Sequence, residues 1–144
     1  MECTPKEEWN PLKQDVKKGK LRFFKYGDLP FNYGFIPQTW EDPTQFSQHS
    51  DVGDLRGDND PLDLVEISGT DIPRGSIVPV KAISVLGLID EGEADWKIIA
   101  IRADHPKASQ IHCLFVCFIF KLFFIIIYLV KMWFLKKKKK KKMN

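Results

Sequence analysis

VPVKAISVLGLIDEGEADWKIIAI, residues 78–101, reads as two β-strands joined by an acidic turn. Val78 to Ile89 is rich in β-branched residues and Lys97 to Ile101 repeats the pattern. Gly92 sits in the connection, so the composition is that of a hairpin with Asp90 and Asp95 expected at its two ends. Upstream, Leu62 to Ile67 alternates, placing Asp63, Val65 and Ile67 on one face and Leu62, Leu64 and Glu66 on the other. Asp63 therefore shares a face with core residues. A carboxylate there is desolvated at a cost of several kcal/mol unless it is paired or holds a metal.

Immediately before that strand, residues 51–63 (DVGDLRGDNDPLD) hold five aspartates, and Asp90-Glu91-Gly92-Glu93-Ala94-Asp95 forms a second acidic cluster. Acid packed this densely repels itself unless cations occupy it, which points to hard metal ions. In an extended chain Asp58 and Asp60 have the same parity, and a turn at Pro61 can bring Asp63 round to meet them. The same residues also read as a solvated loop, since Asp, Asn, Gly and Pro are ordinary turn formers. An EF-hand is rejected by spacing. Counted from Asp58, the sixth position is Asp63 where glycine is required, and the twelfth is Gly69 where glutamate is required. Magnesium with waters and a phosphate substrate suits the pattern better.

Charge divides the chain. Residues 113–144 carry nine lysines and no acid; removing those nine from the 22 basic groups leaves 13 against 19 acidic groups in residues 1–112, a net of −6. The overall +3 therefore says nothing about nucleic acid, which would need a basic face. Lys17, Lys18, Lys20 and Arg22 crowd one short stretch of this acidic body, as suits a metal-assisted anion site. Residues 1–112 suffice for one modest domain. Cys3, Cys113 and Cys117 support neither a disulfide framework nor a four-ligand zinc site, so a reducing compartment is expected.

No secretory signal is read at the start, where charge and proline interrupt any apolar stretch. Residues 113–135 (CLFVCFIFKLFFIIIYLVKMWFL) are long enough to cross a bilayer, and seven lysines follow at 136–142. Lysines on that flank would draw the acidic body across the membrane, against the topology an unsignalled domain requires. The tail, residues 113–144, is expected to be non-native sequence or else a membrane anchor.

The segment DNDPLDL at 58–64 resembles the signature of family I soluble inorganic pyrophosphatases. KQDVKKGKLRF at 13–23, FNYGFIPQTWEDP at 31–43 and LIDEGEADWKIIAI at 88–101 resemble that family in the same order, most closely its eukaryotic branch. The resemblance implies a mainly β (α+β) fold, a small OB-like barrel with flanking helices, and magnesium-dependent hydrolysis of diphosphate to two orthophosphates. Carried over residue by residue, it implies Asp58, Asp63 and Asp95 as ligands of one metal, with Asp63 bridging towards a second. Asp90 and Asp95 would hold another metal beside the substrate, and Glu2 would be a further metal-site group. Asp60 would be the general base, while Arg22, Tyr33 and Lys97 would grip phosphate oxygens. Arginine offers a planar fork, lysine a point charge and tyrosine a neutral donor. Alone, each of these three more often solvates, packs in a turn or pairs with a nearby acid; their joint fit to one pattern favours the site.

Trp40 and Trp96 read as core or rim packing, and His49, His105 and His112 as uncommitted. Leu29 stands where the family has a tyrosine, with Tyr26 nearby. Family members carry residues ahead of Met1, including a lysine two positions before Glu2, and continue beyond Ile111 into a Tyr-Lys pair and a helix. The resemblance thus implies a domain incomplete at both ends, with turnover weak or lost. The partner expected is inorganic pyrophosphate, with no nucleic acid. A membrane enters only if 113–135 is native, and a homodimer is allowed. The compartment expected is the cytoplasm, with the mitochondrion or a membrane anchor as alternatives. Two rivals are a membrane-tethered phosphate- or metal-binding module without turnover, and a fragment that does not fold.

Overall fold

The computed structural model describes residues 2–24, 27–46, 54–111 and the backbone of 115–118. Tyr26, His49, Asp51, His112, Cys113, the Cys117 side chain and residues 119–144 lie outside the described set.

The 78–101 stretch forms the expected hairpin, β7 (Val80–Asp90) and β8 (Glu93–Arg102), with the second strand extended at both ends. Only Glu91 and Gly92 connect them, with φ of 47° and 95°. A two-residue turn with both central residues left-handed matches the right-handed twist of the flanking strands, and glycine is the residue that tolerates the larger angle. The tight turn corrects one expectation: Asp95 does not stand at the end of the hairpin. It lies inside β8, opposite Leu88, while Asp90 closes β7 opposite Glu93. The ladder continues through the other acidic residues because the turn absorbs only Glu91 and Gly92.

Residues 63–66 form β6 (Asp63–Glu66), and Asn32–Phe35 form β5. β5 pairs antiparallel with β6, β6 runs parallel to β8, and β8 pairs with β7. Four residues of the apolar tail, Phe115–Phe118 (β9), run parallel to β7 and complete a sheet of order β5-β6-β8-β7-β9. The expected alternation in β6 holds. Asp63 and Val65 face the side of Lys97 and Ile99, while Leu64 and Glu66 face the side of Ile98 and Ala100.

β6 is covered on both faces: Leu64, Val65 and Glu66 are all buried, with Leu86, Leu88, Ala94, Ala100 and Ile101 from the hairpin. A buried Glu66 needs partners, and it has four donors. The Asn32 side chain donates at 2.8 Å, the Ser68 backbone at 2.8 Å, the Ser68 hydroxyl at 3.0 Å and the Arg102 backbone at 3.1 Å. Ahead of the sheet lie two short ribbons. β1 (Glu2–Cys3) pairs with β2 (Leu12–Lys13), and β3 (Val16–Lys17) with β4 (Lys20–Leu21). Among the described residues the sole helix is a 3₁₀ turn at Ala108–Gln110, so the class is mainly β, and no helix there is long and apolar enough to cross a membrane.

Candidate active site

Lys97 organises the centre of the site. It stands opposite Asp63 on β6 and two residues beyond Asp95 on its own strand, so three charged side chains share one sheet face. Its ammonium donates to Asp63 Oδ2 at 2.6 Å, to Asp95 Oδ1 at 2.8 Å and to the Tyr33 hydroxyl at 2.9 Å. The Tyr33 hydroxyl in turn donates to Asp63 Oδ2. Desolvation works against the ammonium, but Tyr33, Asp95 and Asp63 outweigh it, and the Lys97 pKa lies above its ordinary value. The Tyr33 phenol is raised as well, by desolvation first, with Lys97 opposing and Asp63 reinforcing.

The aspartate loop reaches this face by a route that the sequence pattern missed. Asp58 and Asp60 are not in extended chain. Asp58 Oδ1 accepts a hydrogen bond from the Asp60 backbone at 2.9 Å and Asn59 takes a left-handed φ of 72°, a turn closed by its own first side chain. Residues 36–41 clasp the turn from outside. Glu41 N donates to Asp60 O at 2.9 Å and Asn59 N to Glu41 O at 3.0 Å, while Trp40 Nε1 donates to Asn59 Oδ1 at 3.0 Å. Gly57, just before the turn, bridges to Ala94 of β8, and a Cβ at Gly57 would lie 2.4 Å from the Glu41 carbonyl carbon and oxygen. Only glycine lets the three segments meet this closely.

The result is a group of carboxylates from three segments: one oxygen each from Glu41, Asp58 and Asp95, all within 4.8 Å of one another. Glu41 was not singled out from the sequence, although it lies within the 31–43 segment. The one local signal was an acid between a tryptophan and Asp42-Pro43. Its Oε1 accepts from the Trp96 backbone at 3.0 Å, and its Oε2 is buried without a partner. Desolvation, then the charges of Asp58, Asp95 and Asp63, push the Glu41 carboxyl up to about 8 against the help of the Trp96 hydrogen bond. Asp95 is also raised, by desolvation, with Lys97 opposing.

An all-oxygen donor set with an orphaned carboxylate oxygen suits a hard divalent cation. An octahedral shell with oxygens at about 2.1 Å separates them by roughly 3.0–4.2 Å, so a slight contraction of the group would seat one. The remaining sequence candidates lie around this centre. Asp60 is exposed, and its pKa is raised by desolvation and by Asp58, Asp63, Glu2 and Glu93. Glu2, on β1, is thus within electrostatic reach of Asp60. Asp90 is exposed at the end of β7, on the same sheet face as Asp95 and two ladder pairs nearer the turn. Arg22 does not contact the cluster: its guanidinium donates to Asp15 Oδ2 at 2.9 Å, though the charges of Glu2 and Glu91 still act on it. His105 lies in the turn after β8, its Nδ1 accepting from the Lys107 backbone at 3.2 Å.

The model of the inorganic pyrophosphatase family matches residues 3–144. The mouse inorganic pyrophosphatase is 50% identical over 114 residues, covering 76% of this chain and 38% of its own length. The Arabidopsis thaliana chloroplastic soluble inorganic pyrophosphatase 6 is 49% identical over 112 residues, with 78% and 36% covered. The type I inorganic pyrophosphatase structure from Toxoplasma gondii superposes with a TM-score of 0.72 at 46% identity, over 78% of this chain and 48% of that one. The chain spans less than two-fifths of the length of these curated relatives. Within that span the sequence and the fold match those of its relatives, and the chain belongs to the inorganic pyrophosphatase family.

Proposed function

We propose that the chain hydrolyses inorganic pyrophosphate to two orthophosphates with magnesium. The observation that carries this reading is the junction of opposite charges on one sheet face: the Lys97 ammonium touches Asp95, and Asp95 belongs to the carboxylate group with Glu41 and Asp58. A phosphate anion and a divalent cation need adjoining seats of this kind.

Asp58 and Asp95, with Glu41 beside them and Asp63, Asp90 and Glu2 around them, are the residues that would hold magnesium. When bound, it would neutralise phosphate oxygens and lower the pKa of a coordinated water. Asp60 would take the proton from the attacking water as its oxygen bonds to one phosphorus and the bridging P–O bond breaks. Lys97, Tyr33 and Arg22 would bind phosphate oxygens and offset the charge that accumulates on the departing orthophosphate. The cytoplasm suits a chain whose cysteines call for no disulfide.

Phosphate release from pyrophosphate by the full chain tests the reading. Release that requires magnesium and falls at least about a hundredfold in Asp60→Asn is expected. Release that survives that substitution would reject Asp60 as base, and a full chain inert at all magnesium concentrations would reject hydrolysis.

A further inference from the structure

The β3–β4 ribbon breaks three local rules at once. Lys17 stands directly opposite Lys20, and like charges in a cross-strand pair repel. Lys18 holds a left-handed φ of 54° ahead of Gly19 at 74°, at a position where asparagine or aspartate is the usual occupant. Among the described residues none of the three lysines forms an ion pair, although residues 1–112 carry an excess of acid. Local choices that cost stability without an evident structural return mark functional positions.

The register shows where these charges lead. The Val16↔Leu21 and Lys17↔Lys20 pairs alternate in face, and the Arg22 backbone continues the ladder by donating to Asp15 O at 2.9 Å. Lys17 and Lys20 therefore share the face of the Asp15–Arg22 pair, with Lys18 at the tip, and the exposed Val16 and Leu21 occupy the other. Arg22, at the inner end, feels the charges of Glu2 and Glu91, and Glu2 acts on Asp60. A row of cations thus runs along one ribbon face from the tip to Arg22, which is within electrostatic reach of Glu2 and Glu91.

We propose that Lys17, Lys18 and Lys20 form a capture patch for a small multiply charged phosphate anion, delivering it past the acidic surround to Arg22. The patch rests on the hydrolytic reading above, because it names how that site draws its substrate. An acidic cluster repels a free diphosphate at long range, and a cationic strip on its rim reverses the local potential. The short row and the negative body favour a compact anion over an extended nucleic acid.

The test is binding of methylene diphosphonate with magnesium to the full chain, at low and at high salt. In Lys17→Gln/Lys20→Gln, affinity is expected to fall about five-fold at low ionic strength, and the gap to close at high salt, where exposed charges are screened. Lys17→Arg/Lys20→Arg is expected to bind like the parent. Equal affinity of the Gln pair and the parent at low salt would overturn the patch alone. A loss that persists at high salt would also overturn it, because a distorted ribbon is not screened. A parent that does not bind the diphosphonate would overturn the hydrolytic reading, and the patch with it.

Discussion

Burial leaves Glu41 Oε2 without a donor while Oε1 is held by the Trp96 backbone, so ionisation of this carboxyl is opposed in the folded chain. The consequence for stability has a definite sign. An unfolded glutamate titrates near 4.5 and the folded Glu41 near 8. Below about 4.5 both states hold the proton and Glu41 contributes no pH dependence. Between the two values the unfolded chain releases its proton and the folded chain keeps it, so stability falls as pH rises and levels off above about 8. The raised Asp60 and Asp95 act in the same direction. In metal-free buffer the melting midpoint is therefore expected to drop from pH 5 to pH 8. Glu41→Gln should reduce that drop, matching the parent near pH 4.5 and exceeding it at pH 8. Parallel midpoint curves for the two proteins would show that Glu41 ionises freely.

At the scale of the elements, the loop around Asp58 is held by backbone contacts rather than by hydrophobic packing. The turn from 58 to 60 hydrogen-bonds to Glu41, Arg56 O accepts from Ala94 N at 2.7 Å, and Gly57 lies against the main chain of residues 41–42. Gly57→Ala has no flexible side chain to displace, so either the loop or the 36–42 clasp must move. A loss of about 2 kcal/mol or more is expected in urea unfolding, with weakened magnesium binding because Asp58 moves with the loop. Unchanged stability would mean that the segments slide past each other at little cost. These contacts also explain which parts were legible beforehand. The hairpin and the facing of Asp63 followed from composition and alternation, which are local. The role of Gly57 and the place of Glu41 depend on pairings 16 to 55 residues distant, from Gly57 against Glu41 at one extreme to Trp96 against Glu41 at the other. In residues 36–42 the local hint, an acid between Trp40 and Asp42-Pro43, does not say which of the two acids is buried. Lys97, by contrast, was found by resemblance, and the parallel pairing of β6 with β8 supplies the physical reason that it meets Asp63.

For the molecule as a whole, the sheet carries opposite devices on its two faces. On one, Glu66 is saturated by four donors and ties β5, β6, the following loop and β8 together. On the other, carboxylates from three segments converge with a buried oxygen left unsatisfied. The first face is complete without a ligand, whereas the second leaves Glu41 Oε2 unsatisfied and opposes ionisation of Glu41 and Asp95. Magnesium should therefore act as a folding ligand. At a hundred times its dissociation constant a cation that binds only the folded state adds about 2.7 kcal/mol, which for a domain near this size raises the melting midpoint by roughly 10 °C. Because binding must displace protons from the raised carboxyls, the gain should be larger at pH 8 than at pH 5. Asp95→Asn, which removes a charge from the centre of the group while leaving β8 paired, should abolish most of the shift. Sodium chloride at matched ionic strength is the control for screening. If it raised the midpoint as far as magnesium does, relief of general acidic repulsion, and no specific seat, would account for the effect.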